Sequence, residues 1–541
     1  MTSLSETRFP SWVAAGNRWR RPLLMIGLIA LADWLFFGHM RGLSVVVFAA
    51  ALAAGALIAW GRPVSPGRLA MAGAVLVAAA VPAVLAPAPL AVAILALATA
   101  HFALAVTSQT GQRLSDRIGN AAQLLAEGSW RWAADAARGL HSRGQRSASP
   151  IASAAEADGT PVEATEAAPR RHGVLVAWIV PLALGATFLL LFRSANPLIE
   201  DWLDGIDLGA AFANVSPVRL VFWLAVVALV WPFVFLKRRS GRTAVAWAVG
   251  RLGALVPPLA LPAAPPAGGD GLFGKRAILR SLILFNLLFA VQTLMDLAYL
   301  WGGLALPDGM TYAAYAHRGA YPLIATALLA AVFVLAAMRP GSETAQSRSI
   351  RLLVFLWVGQ NVLLVASSML RLDLYVAVYS LTYLRIAAFI WMLLVALGLV
   401  LIVARIAFHR SNGWLFGMNL IALSLALYLC GFVNFPRVIA DYNVAHSREV
   451  SGEGTLLDIE YLRALGPQAI PALDRYRAAL LARDPSGSEL PADEREGRID
   501  QIRAALVADH RRTLADWRAW NYRSWQLERE LERAVGYDGA R

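Results

Sequence analysis

The chain has 541 residues, of which 58% are hydrophobic and only 16% charged, and its mean hydropathy is +0.54. A typical soluble domain is about half apolar and about a quarter charged, so this composition excludes a soluble enzyme and predicts a membrane protein. The net charge of +13 does not indicate a nucleic-acid partner, because residues 1–435 carry 33 Lys and Arg against 18 Asp and Glu, whereas residues 436–541 carry 16 against 18. The positive excess therefore belongs to the apolar part of the chain, where basic loops set membrane topology.

A membrane-spanning helix needs about 20 mostly apolar residues. Eleven stretches of the sequence meet this requirement: 22–38, 42–60, 69–86, 88–108, 173–192, 217–236, 278–300, 321–338, 351–370, 385–404 and 413–435. The sequence therefore predicts an all-α fold, namely a polytopic transmembrane helical bundle of about eleven spans followed by a small helical periplasmic C-terminal domain.

The orientation follows from the basic residues of the loops. With the N-terminus in the cytoplasm, the loops on the inside carry 27 Lys and Arg and those on the outside carry six. This asymmetry predicts a multi-pass protein of the bacterial inner membrane with its C-terminus in the periplasm. Residues 243–262 are also apolar, but they contain Arg251 and Pro257-Pro258. We expect a short interfacial helix there, and a twelfth span is the alternative.

Four regions follow from these spans. They are transmembrane spans 1–4 (1–108), a cytoplasmic insert (109–172), transmembrane spans 5–11 (173–435) and a periplasmic helical tail (436–541). Within the insert, the segment Arg113–Leu140 has helical spacing of its apolar residues and arginines on its other faces. Such a helix is expected to bind anionic lipid. The rest of the insert, to Ala168, has no apolar period and is predicted to be a disordered linker.

The tail contains three helical signals. The first, TLLDIEYLRALG, ends with a glycine, and Pro467 is placed to start the second. The third runs from Asp493 to Val535 with one apolar stripe at a 3.6-residue period. These signals predict a small helical domain that docks on the outer membrane surface or on the loops above it, and that offers a surface to a protein partner.

No motif in the sequence points to a cofactor, a metal ion or catalytic residues. The segment GDGLFGK (269–275) has the spacing of a phosphate-binding loop, but Arg276 stands where Ser or Thr should follow, and we interpret it as a linker. The eight histidines include no His-x-x-x-His pair. Cys430 is the single cysteine, so an intrachain disulfide is excluded. Whether the chain is an enzyme stays open, with the balance against it.

Charged residues within and beside the spans carry the functional hypothesis, because a charge in lipid costs several kcal/mol. Under the predicted topology they all lie toward the periplasmic side. They are Asp33, Asp296, Arg371, Asp373 and Arg385, together with His317 and Arg318 in an outer loop. In one interpretation these residues are structural ion pairs or groups that reach toward the interface. In the other they line a polar cavity open to the periplasm.

Several polar-aromatic stretches resemble a known family. They are DLAYLWGGLALPDGMTYAAYAHRGAYPLIATALLAA, LVASSMLRLDLYVAVYSLTYLRIAAFIWM, NFPRVIADYNVAH and LDIEYLRALGPQAIPAL, and ADWLFFGH in the first span is similar as well. The family consists of uncharacterised bacterial inner-membrane proteins and is known only as a domain of unknown function. The resemblance covers roughly residues 170–480. It implies a polytopic inner-membrane protein, and it brings no activity, cofactor or catalytic residue.

Three functions remain open at this point. The first is a non-enzymatic component that senses, scaffolds or carries something at the periplasmic face. The second is a transporter or flippase with a periplasm-facing charged cavity, although the spans show no matching pair of broken helices. The third is a membrane-embedded transferase, against which stands the lack of an acid/base or metal motif.

Overall fold

The computed structural model describes residues 11–60, 65–107, 117–126 with 128 and 132, 216–235, 275–301, 347–482 and 492–538. Throughout these ranges the regular structure is helical, without a strand, and the all-α prediction is confirmed. The contacts divide the chain into two units, one of residues 1–83 and 92–249, the other of residues 84–91 and 250–541. Each unit has its own apolar core.

Eight helices of the described residues are long and apolar enough to cross a membrane, and they coincide with eight of the eleven predicted spans. The first predicted span (22–38) overlaps helix Ser11–Phe36, which is not one of the eight. The predicted spans 173–192 and 321–338 and the apolar stretch 243–262 lie outside the described residues. The polytopic helical architecture is therefore established by helices in both units.

The first unit contains five long helices. They are α1 (Ser11–Phe36), α2 (Leu43–Trp60), α3 (Pro66–Leu85), α4 (Pro89–Val106) and α5 (Pro217–Val234). Three of them begin at a proline, which suits the first helical position because no intrahelical partner for its missing N–H exists there. Their sequences are rich in Ala, Leu and Val, and a helix satisfies every internal backbone polar group that lipid could not.

Helix α1 packs antiparallel to two neighbours in this unit. In the first half of α1, the Arg21 guanidinium lies 4.5 Å from the ring of Trp60 and donates to the Ala59 carbonyl at 3.4 Å, so this part of α1 meets the end of α2. At its other end, Asp33 meets Arg219 at the start of α5. Between these ends α1 contributes a buried stripe to the core: Leu28, Ala32 and Leu35.

The described part of the 109–172 insert, residues 117–126, is helical and packs on protein. Ala121 is buried in the same core as α1, α2 and α5, and Leu125 packs against it, whereas Ala122 is exposed. Gly128 approaches α5 so closely that a Cβ at this position would lie 2.3 Å from Cβ of Pro232. One side of this short helix, at Ala121 and Leu125, therefore packs on the apolar core of α1, α2 and α5.

The described residues of the second unit include four helices that could cross a membrane: α6 (Lys275–Asp296), α7 (Arg348–Tyr379), α8 (Tyr383–Ala407) and α9 (Asn412–Cys430). Helix α6 continues into a π-helical turn, Leu297–Trp301. Helix α7 has 32 residues, which is about 48 Å at 1.5 Å per residue, against about 30 Å for the hydrocarbon core. It exceeds the predicted span 351–370 because charged residues end an apolar run without ending the helix.

Helices α6 and α7 run parallel. Asn286 donates from Nδ2 to the Leu353 carbonyl at 3.0 Å, and further along both helices Trp301 donates from Nε1 to Oγ of Ser367 at 3.2 Å. Short connections at 380–382 and 408–411 make α8 antiparallel to α7 and α9 antiparallel to α8. The ends of α6, α7 and α9 consequently lie at one side of this unit.

The tail follows α9 as a small helical domain. Its helices are α10 (Phe435–Ala445), α11 (Arg448–Ser451), α12 (Ile459–Ala464), α13 (Ile470–Ala482), α14 (Ala492–Ala515) and α15 (Tyr522–Asp538), with 3-10 turns at Pro467–Ala469 and Trp517–Ala519. The side chains of Asn434 and Asp458 accept hydrogen bonds from backbone N–H groups at the starts of α10 and α12.

The prediction of one continuous helix from Asp493 to Val535 is wrong, because the chain breaks between α14 and α15. The Asp516 carboxylate accepts from the N–H of Arg518 at 3.0 Å, and the Asn521 side chain accepts from the N–H of Ser524 at 3.0 Å. These local bonds compete with helical ones. The apolar stripe persists on both sides of the break because both helices face the same core.

The tail packs on the turn between α7 and α8. Val376 and Leu381 of this region share one apolar core with Ile439 of α10 and with Leu473 and Tyr476 of α13. The last turns of α7 therefore belong to the tail's core as much as to the transmembrane helices. This arrangement makes the tail and the α7–α8 pair one packed body.

Candidate functional site

The central feature of the second unit is a buried ion pair. The guanidinium of Arg371 on α7 bonds the carboxylate of Asp296 at the end of α6, and the two side chains are 6% and 2% exposed. Gln292, one turn earlier on α6, donates from Nε2 to Oδ1 of Asp296 at 2.9 Å. Two of the predicted site residues are thus brought together, between parallel helices, although 75 positions separate them in sequence.

The helix changes geometry directly after Asp296. The π-helical turn Leu297–Trp301 follows, and the Trp301 indole reaches Ser367 on α7. Isolated π-helical turns are uncommon and occur frequently at functional sites. The pair therefore lies where α6 departs from regular α-helical geometry.

A second ion pair lies in the first unit and contains the predicted site residue Asp33. Arg219 donates to both carboxylate oxygens, from Nε to Oδ1 at 2.9 Å and from Nη2 to Oδ2, and Trp223 donates from Nε1 to Oδ1 at 2.9 Å. The Arg219 guanidinium also lies 4.9 Å from the ring of Phe37. Asp33 is therefore held by three donors, from two residues of α5.

The predicted site residue Arg385 contacts the end of α7. It lies at the start of α8 and donates to the carbonyls of Tyr379 and Ser380, which end α7, while its guanidinium stacks 4.7 Å from the ring of Tyr375. Cations suit a helix C-terminus, where carbonyls lack intrahelical partners. Ser380 has a φ of 67°, and Arg385 stabilises this left-handed turn.

Asn443 of the tail clamps the same turn. Its side chain accepts from the N–H of Leu381 at 2.6 Å and donates to the Leu381 carbonyl at 3.0 Å, and the whole contact is buried. One side chain thus bonds both backbone groups of Leu381. Without these bonds, burial of the Leu381 N–H and carbonyl would cost free energy. Asn443 thus forms a buried polar link between the tail and the α7–α8 turn.

Asp373 does not join the Asp296–Arg371 pair. It lies two residues after Arg371 and is exposed, with the phenol of Tyr442 within its electrostatic range. Burial raises the pKa of Tyr442, and the Asp373 carboxylate raises it further. His317 and Arg318 lie outside the described residues. The shared periplasm-facing cavity consequently stays a prediction.

Among the described residues, no group of three His, Cys, Asp or Glu side chains comes together that could hold a metal ion. The described polar contacts of this site join a cation to a carboxylate, a neutral side chain to a carboxylate or hydroxyl, or a side chain to the backbone.

Three partners in these contacts were not expected from the sequence as site residues: Arg219, Trp223 and Asn443. A signal for Arg219 exists, because it is a lone basic residue at the start of an apolar span. Asn443 lies in NFPRVIADYNVAH, one of the polar-aromatic stretches that carry the family resemblance. Neither signal identifies the partner, since the contacts are 186 and 62 positions apart.

The helical bundle, its intramembrane charges and its extramembrane tail define a polytopic membrane protein. The sequence profile of a domain of unknown function, DUF4153, matches residues 14–476, and the chain belongs to this family. The match begins well before residue 170, so it includes the first four spans and the insert, beyond the extent that the resemblance indicated. The comparisons with curated proteins and with solved structures gave no match.

Proposed function

We propose that this chain is a non-enzymatic component of the bacterial inner membrane that senses, scaffolds or carries a partner at the periplasmic face. The observation that carries the proposal is the junction between the tail and the α7–α8 turn, where a shared apolar core and the Asn443 clamp join an extramembrane domain to transmembrane helices. A tail joined in this way can transmit a binding event to the helices, or hold a partner at a fixed place above them.

The charge distribution of the second unit supports a periplasmic tail. Basic residues collect at the end opposite the tail, at the starts of α6 and α7 and around the α8–α9 connection: Lys275, Arg276, Arg280, Arg348, Arg351, Arg405 and Arg410. Cytoplasmic ends of transmembrane helices carry such an excess. The tail, at the other end, has 16 Lys and Arg against 18 Asp and Glu.

Helix directions support eleven spans. Because α6 and α7 are parallel, the chain between them has to return across the membrane once, and the predicted span 321–338 falls in that interval. In the first unit, α4 ends near Trp60 at the end of α2, whereas α5 starts beside Asp33 at the end of α1. One more crossing is needed there, and the predicted span 173–192 supplies it.

A pair of reporter fusions after Arg541 tests this topology. We expect high activity from alkaline phosphatase and no fluorescence from a cytoplasmic fluorescent protein, because the proposal places the C-terminus in the periplasm. The same two reporters fused within 263–274 provide the control and should give the reverse result. A fluorescent C-terminal fusion without phosphatase activity would mean that the number of crossings is even, with 243–262 as the first candidate for a twelfth span.

The junction itself is tested by Asn443→Ala, which leaves the N–H and carbonyl of Leu381 buried without their partner. We expect a loss of about 1–3 kcal/mol at the junction, seen as faster proteolysis and hydrogen exchange in α10 and α13 of the full chain in nanodiscs. Asn419→Ala is the matched control, because Asn419 only donates to the Leu415 carbonyl of its own helix.

The same variant addresses function by complementation of a gene deletion. A protein that is inserted normally, has a loosened tail and fails to complement supports the proposal. Full complementation with a loosened tail would contradict it, because the tail would then act without its connection to α7 and α8.

A transporter or flippase is the second candidate, and the buried Asp296–Arg371 pair beside the π-helical turn favours it. Charged residues within spans commonly mark transport pathways. In this alternative the pair opens to a periplasmic cavity with Asp373, Arg385, His317 and Arg318 near its rim. The variants of Asp296 described below distinguish the two functions.

The proposal includes two lipid partners. The bilayer itself is the environment of the eight apolar helices. We retain anionic lipid as a proposed partner of the Arg113–Leu140 segment, with its basic residues as the contact, since part of its apolar face covers protein.

A further inference from the structure

Helix α15 presents an aromatic face that the tail does not use for packing. Tyr522 and Trp525 are 42% and 40% exposed, their ring centroids lie 5.6 Å apart, and the Arg529 guanidinium lies 5.4 Å from the Trp525 ring. The spacing of three and four residues places all three on one side of the helix. Leu527 and Leu531 are buried in the tail's core on the other side.

The beginning of this helix is fixed at the end of the last transmembrane helix. Arg523 donates to the carbonyl of Gly431, the residue that follows α9, at 3.3 Å. One further contact ties α15 to α10: Arg437 donates to both carboxylate oxygens of Glu530 at 2.9 and 3.0 Å. Tyr522 and Trp525 therefore lie within one helical turn of a residue that contacts the membrane end of α9.

We propose that Tyr522, Trp525 and Arg529 form an interfacial surface that binds the phospholipid headgroups of the bilayer in which the chain lies. Tyr and Trp concentrate at membrane interfaces because each has an apolar ring and a polar group that remains hydrated. An arginine beside them supplies the planar donors that bind a phosphate in two places. This surface anchors α15 and so limits the tail to one orientation above the membrane. It does not depend on the sensing role or on the side of the membrane.

The single cysteine makes a direct test accessible. In a Cys430→Ala background, a spin label is placed at Gln526→Cys, an exposed position next to Trp525, with the full chain in phospholipid nanodiscs. We expect the label to collide more often with oxygen, which concentrates in lipid, than with a water-soluble nickel chelate. Gln501→Cys, on the exposed face of α14, is the matched control and should give the opposite preference.

Two further variants connect the result to the named residues. The double change Tyr522→Ser and Trp525→Ser should move the Gln526→Cys label toward the nickel chelate, while the label at residue 501 stays unchanged and so reports an intact tail. Arg529→Gln should weaken the contact in both kinds of nanodisc, because it removes a phosphate-binding group, and more in anionic ones, because it also removes a positive charge.

Two results would overturn the proposal. A label at residue 526 with the same nickel preference as residue 501 would mean that the aromatic face lies in water. A label protected from both reagents would mean that the face is covered by protein, either a second copy or a partner, and that lipid is excluded from it.

Discussion

The two ion pairs at helix ends contain the same residue types and differ in their surroundings. Asp33 and Arg219 have side chains 16% and 44% exposed, whereas Asp296 and Arg371 are 2% and 6% exposed. An accessible pair can exchange its partner for water and loses little when it is broken. A buried pair has no such replacement, so removal of one member leaves a charge in a medium that cannot solvate it.

The stability of the two units depends to different extents on these ion pairs. The pair of the first unit joins α1 to α5 at an accessible position and is supported by the Trp223 indole and the Phe37 ring. The pair of the second unit fixes α6 against α7 directly below the region on which the tail packs. Both aspartates lie in the last turn of their helices, so burial, and not position of the carboxylate, decides the energetic weight of the two pairs.

The largest expected effect comes from breaking the buried pair. Asp296→Asn keeps the size of the side chain and leaves Arg371 without its carboxylate, and we expect a loss of about 3–5 kcal/mol in the free energy of unfolding. Thermal unfolding of the purified protein in detergent measures this loss. The double variant Asp296→Asn with Arg371→Gln should recover much of the stability, because no uncompensated charge remains.

The same variants distinguish the two proposed functions. If the pair is structural, the stable double variant complements a gene deletion. If Asp296 binds a ligand or proton in a wet cavity, Asp296→Asn folds normally and fails to complement. A single variant that is fully stable and fully active would mean that Asp296 has neither role, and that the cavity hypothesis is wrong.

Much of this architecture can be predicted from the sequence, because each transmembrane helix is recognisable from the apolar composition of its own segment. The eight helices that could cross a membrane all lie where apolar runs predict them. The helix ends are harder to predict. Helix α7 continues from the predicted end at residue 370 to Tyr379 because its final turns are held by the tail, through Val376 and the clamp at Leu381.

The partners of these charged residues cannot be predicted from a single sequence. Asp33, Asp296, Arg371 and Arg385 are all recognisable as unusual in or beside spans, and all four make specific polar contacts. Their partners depend on which helices are neighbours, and a hydropathy pattern contains no such information. Arg385 illustrates the limit, since its partners are backbone carbonyls that every residue possesses.

A histidine extends the comparison of buried and exposed charges into the tail. The His510 side chain on α14 is buried, with Nε2 3.2 Å from Oε2 of Glu528 on α15. Burial lowers the pKa of His510 below its ordinary value of 6.5, with a smaller contribution from Arg511, and this outweighs the opposite effect of Glu528 and Asp509. The folded tail consequently resists the protonation that the unfolded chain accepts.

The sign of the pH dependence follows. Below pH 6.5 the unfolded chain binds a proton that the folded chain does not, so the stability contribution is complete above 6.5 and is lost as the pH falls. The slope for one proton is at most about 1.4 kcal/mol per pH unit. His510→Gln should flatten the acid side of the unfolding profile of the tail. An unchanged slope in His510→Gln would assign the acid sensitivity to another group.

The smallest expected effect is that of Asp33→Asn. This variant tests whether the exposure of an ion pair, and not its presence alone, sets its contribution to stability. We expect a loss of about 1 kcal/mol or less, because the released Arg219 guanidinium can turn to water while it remains stacked on Phe37. The loss should shrink as salt is added, since exposed charges are screened within about 10 Å at 0.1 M ionic strength. The loss of stability in Asp296→Asn, by contrast, should not depend on salt.

The measurement is the difference in melting temperature between each variant and the parent protein at low and high salt. If Asp33→Asn destabilises as strongly as Asp296→Asn and independently of salt, the outer end of α1 is desolvated in the membrane, and burial within the chain is not the quantity that distinguishes the two pairs.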